Sequence, residues 1–372
     1  MMQSLLFTQP EVITQTEGIK YAGSKLKLLG DIIRTAQELP GDSVWDAFSG
    51  TTRVSQAFAQ NGYRVISSDR SVWSEQFATC YLLNSHRRSY YRDLFQHLNA
   101  LPPVDGWFSQ HYGAETAYGD GGIKRPWQLK NTRKLDAIRN EIDRLHLAPP
   151  DKAVALTGLM LALDKVDSTL GHYVSYLRDW SPRSYNDLHL EIPNFTPYDD
   201  LHRVERGDVF DLVDKIQADI AYFDPPYGSN NEKMPPSRVR YDAYYHIWTT
   251  VCLNDRPELF GKANRRVDSS DSVSASVFEE FRRSPSGRFI AVEAIERLIR
   301  AVQCPYIILS YSSGGRATAG ELMDLMSSYG RLLRVRKIDY RRNVMADMRW
   351  TNEWTKAVSE PNKEFLFVME KN

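Results

Sequence analysis

The sequence has 372 residues, of which 42% are hydrophobic and 25% charged, a composition that excludes collagen-like and largely disordered chains. Its 47 basic and 47 acidic side chains balance, which argues against a protein that coats nucleic acid by bulk charge but leaves room for a local basic cleft. The three cysteines, Cys80, Cys252 and Cys304, are far apart and indicate neither a disulfide framework nor a zinc site.

Elements of helix and strand alternate in the first third of the chain. Residues 24–39 place apolar side chains at helical spacing, and residues 43–48 form a short apolar run typical of a buried strand. A second helical pattern over 51–60 precedes a strand over 63–67, which ends close to Asp69. This order predicts a strand–helix–strand unit with two parallel strands.

The middle of the chain is mostly helical in pattern, and strand patterns return towards its end. The returning strands cover residues 219–223, 306–310, 332–338 and 364–369. We therefore predict an α/β fold with one sheet built from both ends of the chain. The predicted units are a discontinuous domain of residues 1–75 and 201–372, a helical insertion over 76–200, and a polar loop insertion over 228–285.

The tetrapeptide Asp224-Pro225-Pro226-Tyr227 directly follows the strand that ends at Phe223. A carboxylate and a backbone carbonyl can each accept one N–H bond of an aromatic exocyclic amine, while an aromatic ring holds the base plane. The prolines fix φ and add no competing N–H donor. A proline turn with a capping aspartate is the structural alternative, and the preceding strand favours the chemical interpretation.

Two weaker motifs lie earlier in the chain. Asp46-Ala47-Phe48-Ser49-Gly50 ends the first strand, and Asp69 ends the next one, where an acidic side chain can hold both hydroxyls of a ribose. The first motif lacks the dinucleotide glycine pattern and is also compatible with a structural turn, as Asp69 is with a helix cap. The second motif is Tyr21-Ala22-Gly23-Ser24-Lys25. Taken alone, its Lys25 is best interpreted as a solvated lysine on a helix.

Taken together in chain order, Tyr21–Lys25, then Asp46–Thr51, then Asp224–Tyr227, the three motifs resemble those of the DNA adenine-N6 methyltransferases typified by the Dam methylase. The resemblance extends over nearly the whole chain and includes Thr169–Tyr173, Tyr244–Thr250, Ser310–Ser313 and Glu364–Val368. It implies a Rossmann-like sheet that binds S-adenosylmethionine, with the insertion 76–200 as a target-recognition domain. A helical insertion that only packs on the sheet is the alternative for that segment.

The resemblance also implies roles for individual residues. Tyr21, Gly23 and Lys25 match the segment that holds the methionine end of the cofactor, with Lys25 paired to its carboxylate. Asp46, Phe48 and Gly50 match the cofactor loop, Asp69 the ribose-binding acid, and Asp208 the acid that recognises the cofactor's adenine. Asp224, Pro225, Pro226 and Tyr227 match the target-adenine site. The loop departs from the family at Thr52, where members more often carry glycine.

Contacts with duplex DNA require local positive charge and side chains that reach base edges. Lys124, Arg125 and Arg133 offer such donors within the insertion. The run 331–342, which ends in Arg341 and Arg342, offers phosphate contacts, with a solvated strand face as the alternative. The histidine spacings indicate no metal site.

We therefore predict a site-specific DNA methyltransferase that acts on the N6 amine of a flipped adenine. Cytosine-N4 or RNA methylation, or a catalytically silent DNA-binding protein of the same fold, are the alternatives. A nucleotide-dependent oxidoreductase is less favoured, since the glycine fingerprint is missing. The expected partners are double-stranded DNA and a cognate restriction endonuclease. No segment is predicted to span a membrane, and no signal peptide is apparent, so we expect a cytoplasmic protein.

Overall fold

The computed structural model of the protein describes residues 12–115, 124–198, 201–227, 240–339 and 363–372. Its centre is a seven-stranded sheet. In chain order the strands are β1 (Ser43–Asp46), β2 (Arg64–Asp69), β3 (Arg203–Arg206), β4 (Ile220–Phe223), β5 (Tyr306–Ser312), β6 (Gly330–Asp339) and β7 (Lys363–Lys371).

The strands lie in the order β6-β7-β5-β4-β1-β2-β3. The five from β5 to β3 are parallel, in the Rossmann order 3-2-1-4-5. Strand β7 is antiparallel to both of its neighbours, β5 and β6. The prediction of an α/β fold with a mostly parallel sheet built from both ends of the chain is confirmed.

Thirteen α-helices are assigned within the described residues. Those before the second half of the sheet are α1 (Leu29–Gln37), α2 (Arg53–Gln60), α3 (Val72–Leu82), α4 (Arg92–Ala100), α5 (Trp107–Tyr112), α6 (Leu129–Arg144) and α7 (Pro149–Lys165). Those after β3 are α8 (Val209–Leu212), α9 (Tyr241–Tyr244), α10 (His246–Leu253), α11 (Asp271–Ser274), α12 (Ile290–Ala301) and α13 (Ala319–Tyr329). No described helix is long and apolar enough to cross a membrane.

Both faces of the sheet are covered, because successive side chains of its central strands point to opposite sides. Val44 packs with α1 and α2 on one face, and Trp45 packs with α12 on the other. Ile308 and Ile307 divide between the same two clusters. This two-sided burial explains why these strands read as continuous apolar runs, and it leaves the strand ends free to form a site.

Helices α4 to α7 share a separate hydrophobic cluster, which includes Leu135, Leu156 and Trp127. Within the predicted insertion, two-residue strands pair Gly113–Ala114 with Trp127–Gln128. Helix α10 contributes Ile247 and Trp248, both fully buried, to the same cluster.

The part of residues 228–285 that the structure describes differs from the expected polar loop. It contains α9, α10 and α11, together with a short antiparallel pair of Leu259–Phe260 and Arg265–Arg266. The average composition of this segment is polar, yet the segment contains the buried helix α10. The apolar residues of α10 pack against the helices of the insertion rather than on the sheet. Residues 228–239 lie outside the described part of the chain.

Candidate active site

The carboxyl ends of the parallel strands meet at one edge of the sheet, beside a cavity of about 220 Å³. Ligands of open α/β sheets bind in such a crevice, outside the carboxyl ends of the strands. Ten of the twelve residues predicted to bind cofactor or target line it: Tyr21, Gly23, Lys25, Phe48, Asp69, Asp208, Asp224, Pro225, Pro226 and Tyr227. The other two, Asp46 and Gly50, line a cavity of about 30 Å³ that shares Lys25 and Asp224 with the first.

Asp224 lies at the centre of a compact polar cluster. The ammonium nitrogen of Lys25 is 2.9 Å from Asp224 Oδ1 and 3.4 Å from Glu364 Oε1, and it donates a hydrogen bond to the carbonyl of Gly23. The hydroxyl oxygen of Tyr227 is 2.5 Å from both Asp224 Oδ1 and Glu364 Oε1. Lys25 therefore pairs with two carboxylates of the protein, where the resemblance implied a cofactor carboxylate.

Burial and neighbouring charge act together on these groups. Burial raises the pKa of Asp224, Lys25 lowers it, Glu364 raises it again, and the net result is a raised pKa. Burial alone would lower the pKa of Lys25, but the charges of Asp224 and Glu364 reverse this and raise it. The cluster thus keeps Lys25 charged and makes the ionisation of Asp224 dependent on its partners.

The loop after β1 is folded around the carboxylate of Asp69. Its Oδ2 accepts a hydrogen bond of 2.9 Å from the backbone N–H of Gly50, and its Oδ1 accepts one of 2.8 Å from that of Ser71. Gly50 has a φ of 48°, in the left-handed region that glycine adopts without strain. Thr52 also has a positive φ, 59°, at the position where the family more often has glycine. A β-branched residue is strained there.

Asp46 is buried at the end of β1, with 1% of its surface exposed. The hydroxyl of Ser55 donates to its Oδ2 at 2.6 Å, whereas Oδ1 has no hydrogen-bond partner among the described residues. Burial raises the pKa of Asp46 to about 7, although the bond from Ser55 opposes the shift. An ionised Asp46 therefore requires a further donor or a positive charge.

The Tyr21–Gly23 loop is held by two tyrosines that the sequence analysis did not assign to the site. The backbone N–H of Ala22 donates to the hydroxyl of Tyr245 at 2.6 Å, and the rings of Tyr21 and Tyr245 stack with centroids 4.6 Å apart. A Cβ at Gly23, whose φ is 80°, would lie 2.8 Å from the hydroxyl of Tyr241, which explains the glycine. Tyr241 itself lines the main cavity.

Three phenylalanines form one wall of the main cavity. The ring of Phe278 meets Phe48 edge-on at 5.3 Å and stacks on Phe210 at 5.5 Å. The guanidinium of Arg297 lies 4.0 Å from the centre of the Phe210 ring. Asp208, at the edge of this wall, accepts a hydrogen bond from the backbone N–H of Phe210 and caps α8.

Sequence reasoning assigned no role to Phe210, Phe278 or Glu364. Phe278 lies in a single 3-10 turn, Val277–Glu279, which is too short for any periodicity to indicate its placement. Glu364 did carry a sequence signal, because it is the one acidic residue in the otherwise apolar run 364–368. In the structure only 5% of its surface is exposed. A buried acid at such a position needs a partner, and the structure supplies Lys25, Tyr227 and Ser310.

The residues of the insertion that are predicted to contact DNA are not among those that line the two cavities. Lys124 and Arg125 lie in the insertion, and Arg125 donates a hydrogen bond to the carbonyl of Lys124. Arg133 is paired with Asp105, with 2.7 Å between Nε and Oδ1. None of these three lines either cavity.

The basic strand expected to bind phosphate is paired with carboxylates along β6. Arg331 pairs with Glu370, and Arg334 and Arg336 both pair with Glu38. These pairs favour the solvated strand face over the phosphate-binding surface for the described part of the run. Arg341 and Arg342 lie outside the described residues.

Residues 21–280 match the family model of the D12 class N6 adenine-specific DNA methyltransferases. Because the match extends over most of the chain, the protein belongs to this family. It is a site-specific DNA methyltransferase that acts on adenine, as predicted, and the family implies S-adenosylmethionine as methyl donor and DNA as substrate. The family also favours adenine N6 over cytosine N4.

Curated relatives are similar along most of this chain. The type II methyltransferase M.NlaIII of Neisseria lactamica is 29% identical over 95% of this chain and 99% of its own length. The modification methylase LlaI of Lactococcus lactis subsp. lactis is 27% identical over 82% of this chain, and M.FokI of Planomicrobium okeanokoites is 23% identical over 95%. The chain spans about half the length of these last two, 48% and 53%.

Proposed function

We propose that this protein transfers the methyl group of S-adenosylmethionine to the N6 amine of an adenine rotated out of duplex DNA. The observation that carries the proposal is the meeting of Asp224–Tyr227 with Lys25, Asp46, Asp69 and Asp208 around one cavity. Those motifs are scattered along the chain, and only the strand order brings them together.

The chemistry of the cavity suits this methyl donor, which carries an ammonium, a carboxylate and a sulfonium group. Five acidic side chains line the main cavity, Asp69, Asp208, Asp224, Asp242 and Glu279, against three basic ones, Lys25, Arg70 and Arg297. An excess of acids favours a ligand with net positive charge. The buried Oδ1 of Asp46, which has no hydrogen-bond partner in the described part of the chain, fits an ammonium donor. Asp69 and the Phe48 wall fit a ribose and a flat ring.

S-adenosylmethionine supplies an electrophilic methyl group on sulfur. In our proposal Asp224 and the Pro225 carbonyl accept the two N–H bonds of the target amine and orient its lone pair. The ring of Tyr227, anchored through its hydroxyl, holds the base plane. An adenine in the duplex hides its amine in the stack, so the proposal requires the nucleotide to be flipped at a cost of a few kcal/mol.

We assign recognition of the DNA sequence to the helical insertion 76–200, whose helices α4 to α7 pack in one hydrophobic cluster together with α10. Lys124 and Arg125 are the proposed contacts there. The names of the relatives place those proteins in modification and type II systems, which supports a cognate restriction endonuclease for this one.

The experiment is methyl transfer from labelled S-adenosylmethionine to mixed-sequence duplex DNA, followed by digestion to nucleosides. We expect label in N6-methyladenine. Label in N4-methylcytosine, transfer to RNA alone, or no transfer would each overturn the proposal. With the recognised sequence identified by modification-sensitive sequencing, 2-aminopurine at the target position should brighten on binding if the base leaves the stack.

A further inference from the structure

The loop Tyr21–Lys25 is attached to the predicted insertion 76–200 through the residue that precedes it, Lys20. The backbone N–H of Lys20 donates a hydrogen bond of 3.0 Å to Asp164 Oδ2, at the end of α7. The ammonium nitrogen of the same residue lies 2.8 Å from Asp167 Oδ1 and 3.3 Å from Asp164 Oδ1. Main chain and side chain of Lys20 are therefore both held by the insertion.

Asp167 is the centre of this attachment, and it is fully buried. The guanidinium of Arg183 approaches its Oδ1 from within the insertion, with 2.6 Å between Nη2 and Oδ1. The hydroxyl of Thr169 donates a hydrogen bond to its Oδ2. A carboxylate buried without a partner would be costly, and here Lys20 and Arg183 both compensate it. The position of Lys20 is thereby fixed relative to the insertion.

The motifs Thr169–Tyr173 and Tyr244–Thr250, which the proposed chemistry does not use, also contact this part of the chain. One backbone hydrogen bond of 2.8 Å joins the two motifs to each other. A Cβ at Gly171 would lie 3.7 Å from the Cβ of Lys20, so the first motif passes directly against that residue. Tyr245, in the second motif, accepts a hydrogen bond of 2.6 Å from the backbone of the loop.

These contacts connect the predicted insertion to the centre of the active site. Four residues separate Lys20 from Lys25, whose ammonium nitrogen lies 2.9 Å from Asp224 Oδ1. Packed segments shift as units, because close-packed interiors do not deform continuously. A displacement of the insertion relative to the sheet therefore displaces the charge beside Asp224.

We propose that Lys20 and Asp167 are positioning residues, which place Lys25 beside Asp224 according to the DNA sequence that the insertion contacts. On the recognised sequence the insertion holds Lys20, and through it Lys25, where Asp224 is oriented towards the target amine. On other sequences this arrangement is less populated, and methyl transfer is slower. The inference rests on the proposed function, which assigns recognition of DNA to the insertion.

The test is the single-turnover rate of methyl transfer at saturating S-adenosylmethionine on two duplexes, one with the recognised sequence and one with a single base pair of it changed. Lys20→Met keeps the length of the side chain but removes its charge, and it should lower the rate on the recognised sequence by at least about tenfold. The rate on the changed sequence should fall by less than about threefold, because the insertion does not favour the productive position there. A merely structural role would lower both rates equally.

Lys152→Met is the matched control. Lys152 pairs with Asp143 at 3.0 Å within the insertion, and its side chain is 37% exposed, against 36% for Lys20. This variant should discriminate between the two duplexes as the wild type does. Lys20→Arg keeps the charge and should retain that discrimination within about twofold.

Asp167→Asn removes the same contact from the side of the insertion. If the two residues act through each other, the double variant Lys20→Met, Asp167→Asn should lose little more discrimination than either single variant, because their effects are not additive. Additive losses would contradict a shared role.

A contact of Lys20 with a DNA phosphate is the competing explanation. It would weaken binding to both duplexes alike and reduce the slope of log affinity against log salt by about one, whereas we expect no change in slope. That result, or unchanged discrimination in Lys20→Met, would overturn the inference.

If circular dichroism shows that Lys20→Met is not folded, Lys20→Gln, which also lacks the charge, decides by the same two measurements. Failure of the wild type to methylate adenine in the duplex, or to distinguish the two duplexes, would instead overturn the proposed function. The two failures are therefore distinguishable.

Discussion

Lys25 Nζ lies 2.9 Å from Asp224 Oδ1 at the carboxyl edge of the sheet. One residue precedes α1 and the other follows β4, so the contact exists only because the chain brings a loop from its beginning over the middle of the sheet. The positive charge of Lys25 thereby opposes the rise in the pKa of Asp224 that burial causes, although the net pKa remains raised.

Replacing that carboxylate tests its role as acceptor. Asp224→Asn keeps the size of the side chain but replaces one acceptor oxygen with a donor, so methyl transfer should fall by at least about 10²-fold. S-adenosylmethionine should bind within about threefold of wild type by calorimetry. Asp214→Asn, at an exposed aspartate after α8, is the control and should be fully active. Full activity of Asp224→Asn would contradict the mechanism.

Asp46 should make cofactor binding depend on pH. Its pKa of about 7 means that it is largely protonated below neutrality, whereas an ammonium beside it favours the ionised form. Binding should therefore release a proton at about pH 6, and affinity should rise as the pH increases towards 7 and level off above it.

Calorimetry at that pH in two buffers of different ionisation enthalpy measures this proton directly. Asp46→Asn removes the titrating group, so the released proton should disappear and the affinity should lose its dependence on pH. If the variant released as many protons as the wild type, Asp46 would not be the group beside the ammonium.

Thr52 allows a test of backbone strain in the loop after β1. Both Thr52→Gly and Thr52→Ala delete the hydroxyl, but only glycine relieves the cost of a φ of 59°. The glycine variant should therefore be more stable than the alanine variant by about 1 kcal/mol in urea unfolding. At Ala57, inside α2, glycine should instead be less stable than alanine by a similar amount, about 1 kcal/mol. The same order at both positions would refute the assignment of strain.

Substitution of two arginines tests whether the insertion or the edge strand β6 binds DNA. Among the described residues Arg125 makes no ion pair, whereas Arg334 is paired with Glu38. Arg125→Ala should weaken binding to duplex DNA and reduce the slope of log affinity against log salt by about one. Arg334→Ala should leave both nearly unchanged. The reverse result would indicate that β6, rather than the insertion, binds DNA.

The alternation of patterns over the first 69 residues could be predicted from sequence, and β1, β2 and α2 lie within a few residues of their expected positions. Local sequence determines such elements, since α2 shows apolar residues at helical spacing and β1 and β2 are short runs buried on both faces. Helix α12 carries a comparable amphipathic pattern, with Ile295, Leu298 and Ile299 buried, and could have been found the same way.

Contacts between distant segments could not be predicted. Glu364 reaches Lys25 only because β7 lies beside β5, and Arg334 meets Glu38 only because β6 lies at the edge beside the end of α1. Composition identified an arginine-rich strand but not the carboxylate across from it. A short motif such as Asp224–Tyr227 indicates its chemistry from sequence, whereas the partners that tune it depend on strand order.

The position of β7 has a consequence for the enzyme during its synthesis. The strand is the last of the seven to leave the ribosome, yet it lies between β5 and β6, so β6 has no place in the sheet until β7 is made. The same strand delivers Glu364. A nascent chain that already contains Asp224 and Lys25 therefore completes the polar cluster around them only when β7 joins the sheet.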